Sequence, residues 1–170
     1  MLYGRGRLGL LVSTAAAITI ACGPTIDLRT SLAVTEVFSG WYDNGLKDGK
    51  NHLVPSISFR LRNTGEHPLA NVRMTVAFWL DDGREIDSAD IQAIGSEALA
   101  PGATSDPILV RVITGYTLEQ PRADLFMHSS FRDATAKLFA KRGGTIVPLG
   151  EYRLDRQILP NTGPAVPGTE

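Results

Sequence analysis

The sequence predicts an all-β fold, an antiparallel β-sandwich of about seven to nine strands that follows an N-terminal signal peptide. Hydrophobic residues from residue 28 onward recur with period two, which is typical of strands with one buried face and one solvated face. Turn residues interrupt this alternation about every 8 to 15 residues. A chain of 170 residues has room for one domain, and we assign the sandwich to residues 28–159.

The N-terminal segment predicts an exported protein. Arg5 and Arg7 precede an apolar run from residue 8 to residue 21, a layout typical of a secretory signal peptide over residues 1–21. The run is shorter than the about 20 residues that a membrane-spanning helix needs. Cys22 is the only cysteine, so it can form no intrachain disulfide. Because it directly follows the apolar run, its position points to lipidation.

The segment around Cys22 resembles the bacterial lipobox, in which the cysteine becomes the lipidated first residue of the mature chain. Thr19 stands where the lipobox usually has Leu, and Ala21 fits. The alternative is a plain signal peptide that is cut after these two small residues. Gly23 follows the cysteine where an Asp would be the retention signal, which implies an outer-membrane anchor facing the periplasm. Residues 22–27 would link the anchor to the sandwich.

The charge balance indicates that nucleic acid is not a partner. The full chain has a formal net charge of −1. Removal of residues 1–21 leaves 15 basic and 18 acidic residues, a net charge of −3. A nucleic-acid-binding domain carries a basic excess. With a net negative charge, the mature chain is expected to be held at the membrane by its lipid anchor and not by attraction to anionic lipid.

The first strands are predicted from short alternating segments. An early strand is expected over residues 28–38. Residues 56–62 and 72–80 alternate strictly between apolar and other side chains. The turn residues 63–68 between them predict a hairpin or a corner between sheets.

Further strands follow at similar spacing. The turn signal 81–84 precedes a strand over 85–94, and residues 107–114 read as another. Residues 123–128 are a shorter candidate. Alternation predicts a last strand that contains Tyr152, Leu154 and Ile158.

Residues 131–142 fit either a strand or a helix. Apolar residues occur both at helical spacing and in alternation. We favour the strand, because Gly143 and Gly144 then supply a hairpin turn. The tail 160–170 holds three prolines and little apolar mass, and is expected to be disordered.

The middle of the chain resembles the FxLYD-type domain of bacterial extracytoplasmic proteins, an immunoglobulin-like sandwich. Phe78, Leu80 and Asp82 stand where the family signature has Phe, Leu and Asp, and Asp81 replaces its Tyr. The resemblance covers about residues 55–115 and implies the fold and an envelope location. It brings no catalytic residues. The matching segments are 61–65, 72–76, 78–83, the Pro101-Gly102 turn and 108–112.

Three aromatic residues are the candidate partner contacts. Trp41 and Tyr42 begin a segment, 41–52, that is predicted to be a long loop with flexible glycines. The rings either contact a partner or tuck under the edge of the sandwich, and burial is the more common fate of large aromatics. Trp79 faces away from the apolar row of its strand and is a second contact candidate.

No residue pattern predicts catalysis, a cofactor or a metal. His52, His67 and His128 lack zinc-ligand spacing and are expected to be solvated. Five acids between Asp81 and Asp90 do not follow a calcium-loop spacing, which favours a solvated turn. No nucleophile elbow or phosphate loop occurs.

These observations predict a non-enzymatic cell-envelope lipoprotein that acts as a protein-interaction or scaffold module and has an envelope protein as its partner. The alternative is a periplasmic carrier or accessory subunit that binds an apolar or lipid ligand between its sheets for an envelope transport system. A sandwich of this size normally fills its core with side chains, which favours the interaction module.

Overall fold

The computed structural model describes residues 26–159. The predicted signal peptide, Cys22, linker residues 22–25 and the predicted tail 160–170 lie outside the described residues. The described chain forms nine strands, one helical turn and one 3-10 helix. In chain order these are α1 (Leu28–Ser31), β1 (Leu32–Lys47), β2 (Lys50–Asn63), β3 (Val72–Leu80), β4 (Glu85–Ile94), β5 (Ile108–Arg111), β6 (Tyr116–Leu118), the 3-10 helix (Arg122–Met127), β7 (Ala134–Arg142), β8 (Thr145–Arg153) and β9 (Ile158–Leu159).

Two sheets form the sandwich. One has the order β5-β2-β1-β9, and β6 pairs with β2 beyond the end of β5. The other has the order β4-β3-β7-β8. Neighbouring strands are antiparallel, except that β9 pairs with β1 in parallel. The chain crosses between the sheets after β2, β4, β6 and β8, which is the Greek-key connectivity of immunoglobulin-like sandwiches. The predicted fold class is confirmed.

Side chains from both sheets fill the space between them. Alternate residues of β2 and β3 point inward, and their largest members, Phe59 and Phe78, are fully buried. Ile57, Met74 and Leu138 lie in the same core cluster and are also fully buried. The alternation predicted for β2 and β3 is therefore confirmed, and the interior has the close packing of a sandwich core.

The predicted loop 41–52 is wrong, because these residues form a β-hairpin. Strand β1 continues to Lys47 and β2 begins at Lys50. The turn residues Asp48 and Gly49 have positive φ angles of 52° and 76°. The pairing shifts register between Asp43 and Leu46, and Gly45 has φ 79° there. This bulge absorbs the residues that break the alternation.

The predicted strand over residues 123–128 is also wrong. A 3-10 helix occupies this segment and buries Leu125. Pro121 precedes it with an extended backbone, and a short apolar run has no alternation with which to distinguish a strand from a helix. The early strand likewise begins as the helical turn α1, whose N-cap is Asp27.

The favoured alternative for residues 131–142 is confirmed. Strand β7 occupies Ala134–Arg142 and pairs with both β3 and β8. Gly143 and Gly144 form the hairpin turn into β8, and Gly143 has the positive φ angle of 58° that such turns need.

Candidate functional site

Two surface features stand out in the described residues, a cleft at one end of the sandwich and an apolar stripe on one sheet. The cleft, which we call the end cleft, lies where β3 ends, β4 begins and the chain passes from β5 to β6. Its volume is about 310 Å³. Its walls combine apolar and polar side chains from both sheets, and they are Trp41, Leu80, Arg84, Glu85, Ile86, Thr114, Gly115, Tyr116 and Ser130.

Packed aromatic rings support one wall of the end cleft. Trp41 is 1% exposed, and its ring centroid lies 5.2 Å from that of Tyr116 and 5.4 Å from that of Phe131. The hydroxyl of Tyr116 accepts a hydrogen bond from the backbone N–H of Arg132 at 2.9 Å. Burial raises the pKa of Tyr116. The Trp41 ring and the hydrogen bond to the hydroxyl therefore hold the Tyr116 ring in place, while part of the ring faces the cleft.

Charges at the mouth of the end cleft are unevenly compensated. Arg84 forms an ion pair with Asp82 at 2.9 Å, and the hydrogen bond from Arg84 lowers the pKa of Asp82. Glu85 has no ion-pair partner among residues 26–159. The hydroxyl of Thr114 donates to Asp87 at 2.9 Å. The guanidinium of Arg84 is thus paired with the carboxylate of Asp82, whereas the carboxylate of Glu85 has no ion-pair partner in the described chain.

A larger depression lies beside the loop that follows β4. Its volume is about 550 Å³, and residues 93–99 and 104–106 line it. No aromatic side chain is among its lining residues. Most of its lining residues are small or polar, and Ile94 and Leu99 are its only large apolar side chains. A ligand would therefore find few of the apolar contacts that binding pockets provide.

The second feature, which we call the apolar stripe, crosses the outer face of the sheet β4-β3-β7-β8. Inward residues of β3 such as Val76 and Phe78 are fully buried, so the residues between them face outward. Phe139 is in register with Thr75 on one side and with Pro148 on the other. The stripe runs diagonally from β3 to β8 through Trp79, Ala77, Phe139, Pro148 and Ile146.

The apolar stripe is partly exposed and lies beside basic residues. Ile146 is 59% exposed, and the ammonium of Lys137 lies 5.1 Å from the centroid of the Trp79 ring. Arg73 and Lys141 are in register at one end of the same face. Both are exposed and have no ion-pair partner within the described chain. An apolar surface flanked by uncompensated charge is typical of a contact surface.

The predicted contact residues lie in three different surroundings. Trp41 and Tyr42 are buried, with exposed fractions of 1% and 3%. Of the two predicted alternatives, the structure therefore has the one in which these rings lie under the edge of the sandwich. The guanidinium of Arg111 lies 4.3 Å from the centroid of the Tyr42 ring. Trp79 is half-buried and belongs to the apolar stripe. The two tryptophans therefore share no surface, and Phe139 joins Trp79 instead.

The histidines were predicted to be solvated, and for His52 this is wrong. His52 is 4% exposed, and burial lowers its pKa. Its Nδ1 lies 3.3 Å from the side-chain amide nitrogen of Asn44. His67 and His128 are exposed, as predicted.

The described residues show no metal-binding cluster. No three side chains of the ligating types come together within residues 26–159. Nδ1 of His128 lies 2.6 Å from the hydroxyl of Ser130 and 3.2 Å from its backbone nitrogen. This interaction closes a local turn, and no carboxylate hydrogen-bonds the ring. In the part of the chain that the structure describes, no helix is long and apolar enough to span a membrane.

Comparison with known proteins shows likeness to solved structures alone. No protein-family model and no curated protein matches the chain. A Northeast Structural Genomics Consortium target is 12% identical over 85% of this chain and 98% of its own, with a TM-score of 0.45. A Bordetella pertussis protein described by the name ApaA is 18% identical over 74% of this chain and 93% of its own, with a TM-score of 0.39. The FxLYD-type resemblance stays a prediction.

Proposed function

We propose that this protein is a non-enzymatic cell-envelope lipoprotein that acts as a protein-interaction module, and that the apolar stripe is its contact surface. The observation that supports this proposal is the stripe itself. Trp79 and Phe139 are partly exposed on the outer face of the sheet, next to the basic pair Arg73 and Lys141. Partly exposed aromatic side chains with flanking charge are the anchors that protein interfaces use most.

The charges on this face favour an acidic partner. Lys137 is already paired with Glu151 at 3.7 Å, whereas Arg73 and Lys141 form no ion pair within the described chain. Carboxylates on the partner would complement the two cations, and an apolar ridge would cover Trp79 and Phe139. Electrostatic complementarity of this kind sets orientation and association rate more than affinity.

The envelope location in this proposal rests on the N-terminal sequence. A signal peptide followed by Cys22 would place the sandwich on the periplasmic side of the outer membrane, held by acyl chains. A carrier that binds an apolar or lipid ligand between its sheets has less support, because the core residues of both sheets are fully buried and packed together.

Site-specific crosslinking in the native envelope tests the contact surface. A photoreactive residue at Thr75, which lies between Arg73 and Ala77 on the outer face, is expected to capture one reproducible partner. The double variant Arg73→Glu, Lys141→Glu is expected to abolish that product. The matched control Arg62→Glu changes an exposed arginine of the other sheet and is expected to preserve it. A product that survives the double variant, or is lost in the control, would contradict the proposal.

The anchor requires its own experiment. The change Cys22→Ala is expected to remove fatty-acid label and to shift the protein from the membrane fraction to the soluble periplasmic fraction. Replacement of Thr19 by Leu restores the usual lipobox residue and is expected to leave both properties intact. Unchanged label and membrane association in the Cys22→Ala variant would show that the protein is not a lipoprotein.

A further inference from the structure

We propose that the end cleft binds a small organic cation, an amine or quaternary ammonium compound that carries a short apolar group. None of its lining residues belongs to the apolar stripe, although Glu85 is in register with Trp79 of the stripe. Three properties of the cleft lead to this assignment: its volume, its aromatic wall and the charge at its mouth.

The volume restricts the ligand to a small molecule. About 310 Å³ lies at the lower end of the range for ligand pockets. The cleft is at the end of the sandwich, and the packed core behind it leaves no channel for an acyl chain. A small molecule fits this space, whereas a phospholipid does not.

The wall provides an aromatic ring beside aliphatic side chains. Tyr116 is half-buried, and Leu80 and Ile86 are its half-buried neighbours in the lining. A cation within about 6 Å of a tyrosine ring is attracted to the negative face of the ring. The apolar group of the ligand would at the same time cover Leu80 and Ile86. A combination of this kind suits a substituted ammonium group better than an inorganic ion.

Two guanidinium charges act on Tyr116, those of Arg84 and Arg132, and both are engaged within the protein. Arg132 donates to the backbone carbonyl oxygens of Ser129 and Phe131. The guanidinium of Arg84 is held by the carboxylate of Asp82. Glu85 also lines the cleft and has no ion-pair partner in the described chain. Asp87 adds a second carboxylate nearby, held by Thr114. An anionic ligand would have to compete with Asp82 for Arg84 while it approaches Glu85, whereas a cation would neutralise Glu85.

The walls are also positioned before any ligand arrives. The ring of Trp41 lies against Phe131, and the hydroxyl of Tyr116 is held by the backbone of Arg132. Gly115 packs so closely on β2 that a Cβ atom in its place would lie 2.1 Å from the carbonyl oxygen of Leu53. The cleft therefore keeps its shape, and a ligand loses little binding energy to rearrangement.

Tryptophan fluorescence gives a direct test, because the chain has only two tryptophans. In the full-length Trp79→Phe variant, Trp41 is the sole reporter, and it lies in the wall of the end cleft. Choline is the cationic probe, 3,3-dimethylbutan-1-ol its neutral isostere and benzoate the anionic control. We expect a saturable change of emission with choline and none with the alcohol or with benzoate.

Two variants then examine the residues involved. Tyr116→Leu removes the ring and is expected to weaken choline binding about fivefold or more, whereas Tyr116→Phe keeps the ring and is expected to preserve it. Glu85→Gln is expected to weaken binding several-fold, and the matched change Glu97→Gln at an exposed loop acid is expected to have no effect. Circular dichroism verifies that each variant is folded. Equal binding of the neutral isostere, preferential binding of benzoate, or no saturable change with any probe would overturn the proposal.

Discussion

Arg156 donates two parallel hydrogen bonds to Asp133, from Nε to Oδ1 and from Nη2 to Oδ2, each 2.8 Å long. Arg153 donates to the same carboxylate. Asp133 directly precedes β7, and Arg156 lies in the segment that crosses from β8 to β9. This bidentate pair therefore ties the last connection between the sheets to the start of β7. The hydrogen bond from Arg156 is the main reason why the pKa of Asp133 falls from 3.8 to about 2.

Replacement of Asp133 by Asn is expected to lower the free energy of unfolding by about 1–2 kcal/mol at pH 7. The full pKa difference would correspond to a larger value, but both arginines are more than half exposed, and solvent screens their charges. The measurement is urea unfolding of the full-length protein, followed by circular dichroism. Asp106→Asn removes an exposed carboxylate with no ion pair in the described chain, and is expected to change the stability very little.

The same carboxylate predicts how stability depends on acid. The folded pKa of Asp133 lies below its unfolded value, so its contribution is fully present above about pH 4 and is lost as the pH falls towards 2. The difference in unfolding free energy between the wild type and the Asp133→Asn variant should therefore shrink over this interval. A difference that stays constant from pH 6 to pH 2 would show that the ion pairs do not stabilise the fold.

His52 predicts a second pH dependence in a different range. Burial lowers the pKa of the ring below 6.5, so the unfolded chain binds a proton there more readily than the folded chain. The contribution of the neutral ring is fully present above pH 6.5 and is lost as the pH falls below it. The variant His52→Gln should show a flatter dependence of unfolding free energy on pH between about 7 and 5.

His67 supplies the control for this experiment. It is exposed and lies in the connection from β2 to β3. The change His67→Gln replaces an exposed side chain and is expected to leave the pH dependence of stability unchanged. If both variants behave like the wild type between pH 7 and 5, the buried position of His52 does not affect its titration.

The two tryptophans should differ in their contribution to stability. Trp41 is buried against Tyr116 and Phe131, and Trp41→Ala is expected to cost about 3–5 kcal/mol of unfolding free energy. Trp79 lies on the outer face, and Trp79→Ala is expected to cost about 1 kcal/mol or less. Urea unfolding measures both. Similar costs for the two variants would contradict the assignment of Trp41 to the interior and Trp79 to the surface.

The sequence predicts a strand correctly where the alternation of apolar residues is long and unbroken, and fails where the alternation is short or interrupted. Strand β3 has the bounds predicted for it, because strict alternation over nine residues leaves only one face for the core. The hairpin at the end of β1 was predicted as a loop, since the bulge at Gly45 interrupts the alternation. The 3-10 helix was predicted as a strand, because its six residues are too few for the spacing of apolar residues to distinguish a helix from a strand.

The surface features depended on contacts between distant parts of the chain. The end cleft combines Trp41, Leu80 and Tyr116 from three strands, and nothing in the sequence near any one of them indicates the other two. For Phe139 a signal did exist, because alternation in β7 places it opposite the buried Leu138 face. The strand predicted over residues 131–142 therefore already implied that Phe139, the second aromatic residue of the apolar stripe, faces outward.

Gly115 gives a prediction that depends on space alone. A Cβ atom at this position would lie 2.1 Å from the carbonyl oxygen of Leu53 and 2.8 Å from Cα of Val54. Both are backbone atoms within the sheet, so neither can move aside as a side chain would. We expect Gly115→Ala to lower the unfolding free energy by about 1–3 kcal/mol, because the connection between β5 and β6 must shift away from β2.

Gly144 is the matched control, since a Cβ atom added there meets nothing within 4 Å. We expect Gly144→Ala to change the unfolding free energy by less than about 0.5 kcal/mol. The cost in Gly115→Ala should appear as a lower urea midpoint with an unchanged dependence on urea concentration, because the strands and the core stay the same. Equal stability of the two variants would mean that the segment between β5 and β6 does not pack against β2 in solution.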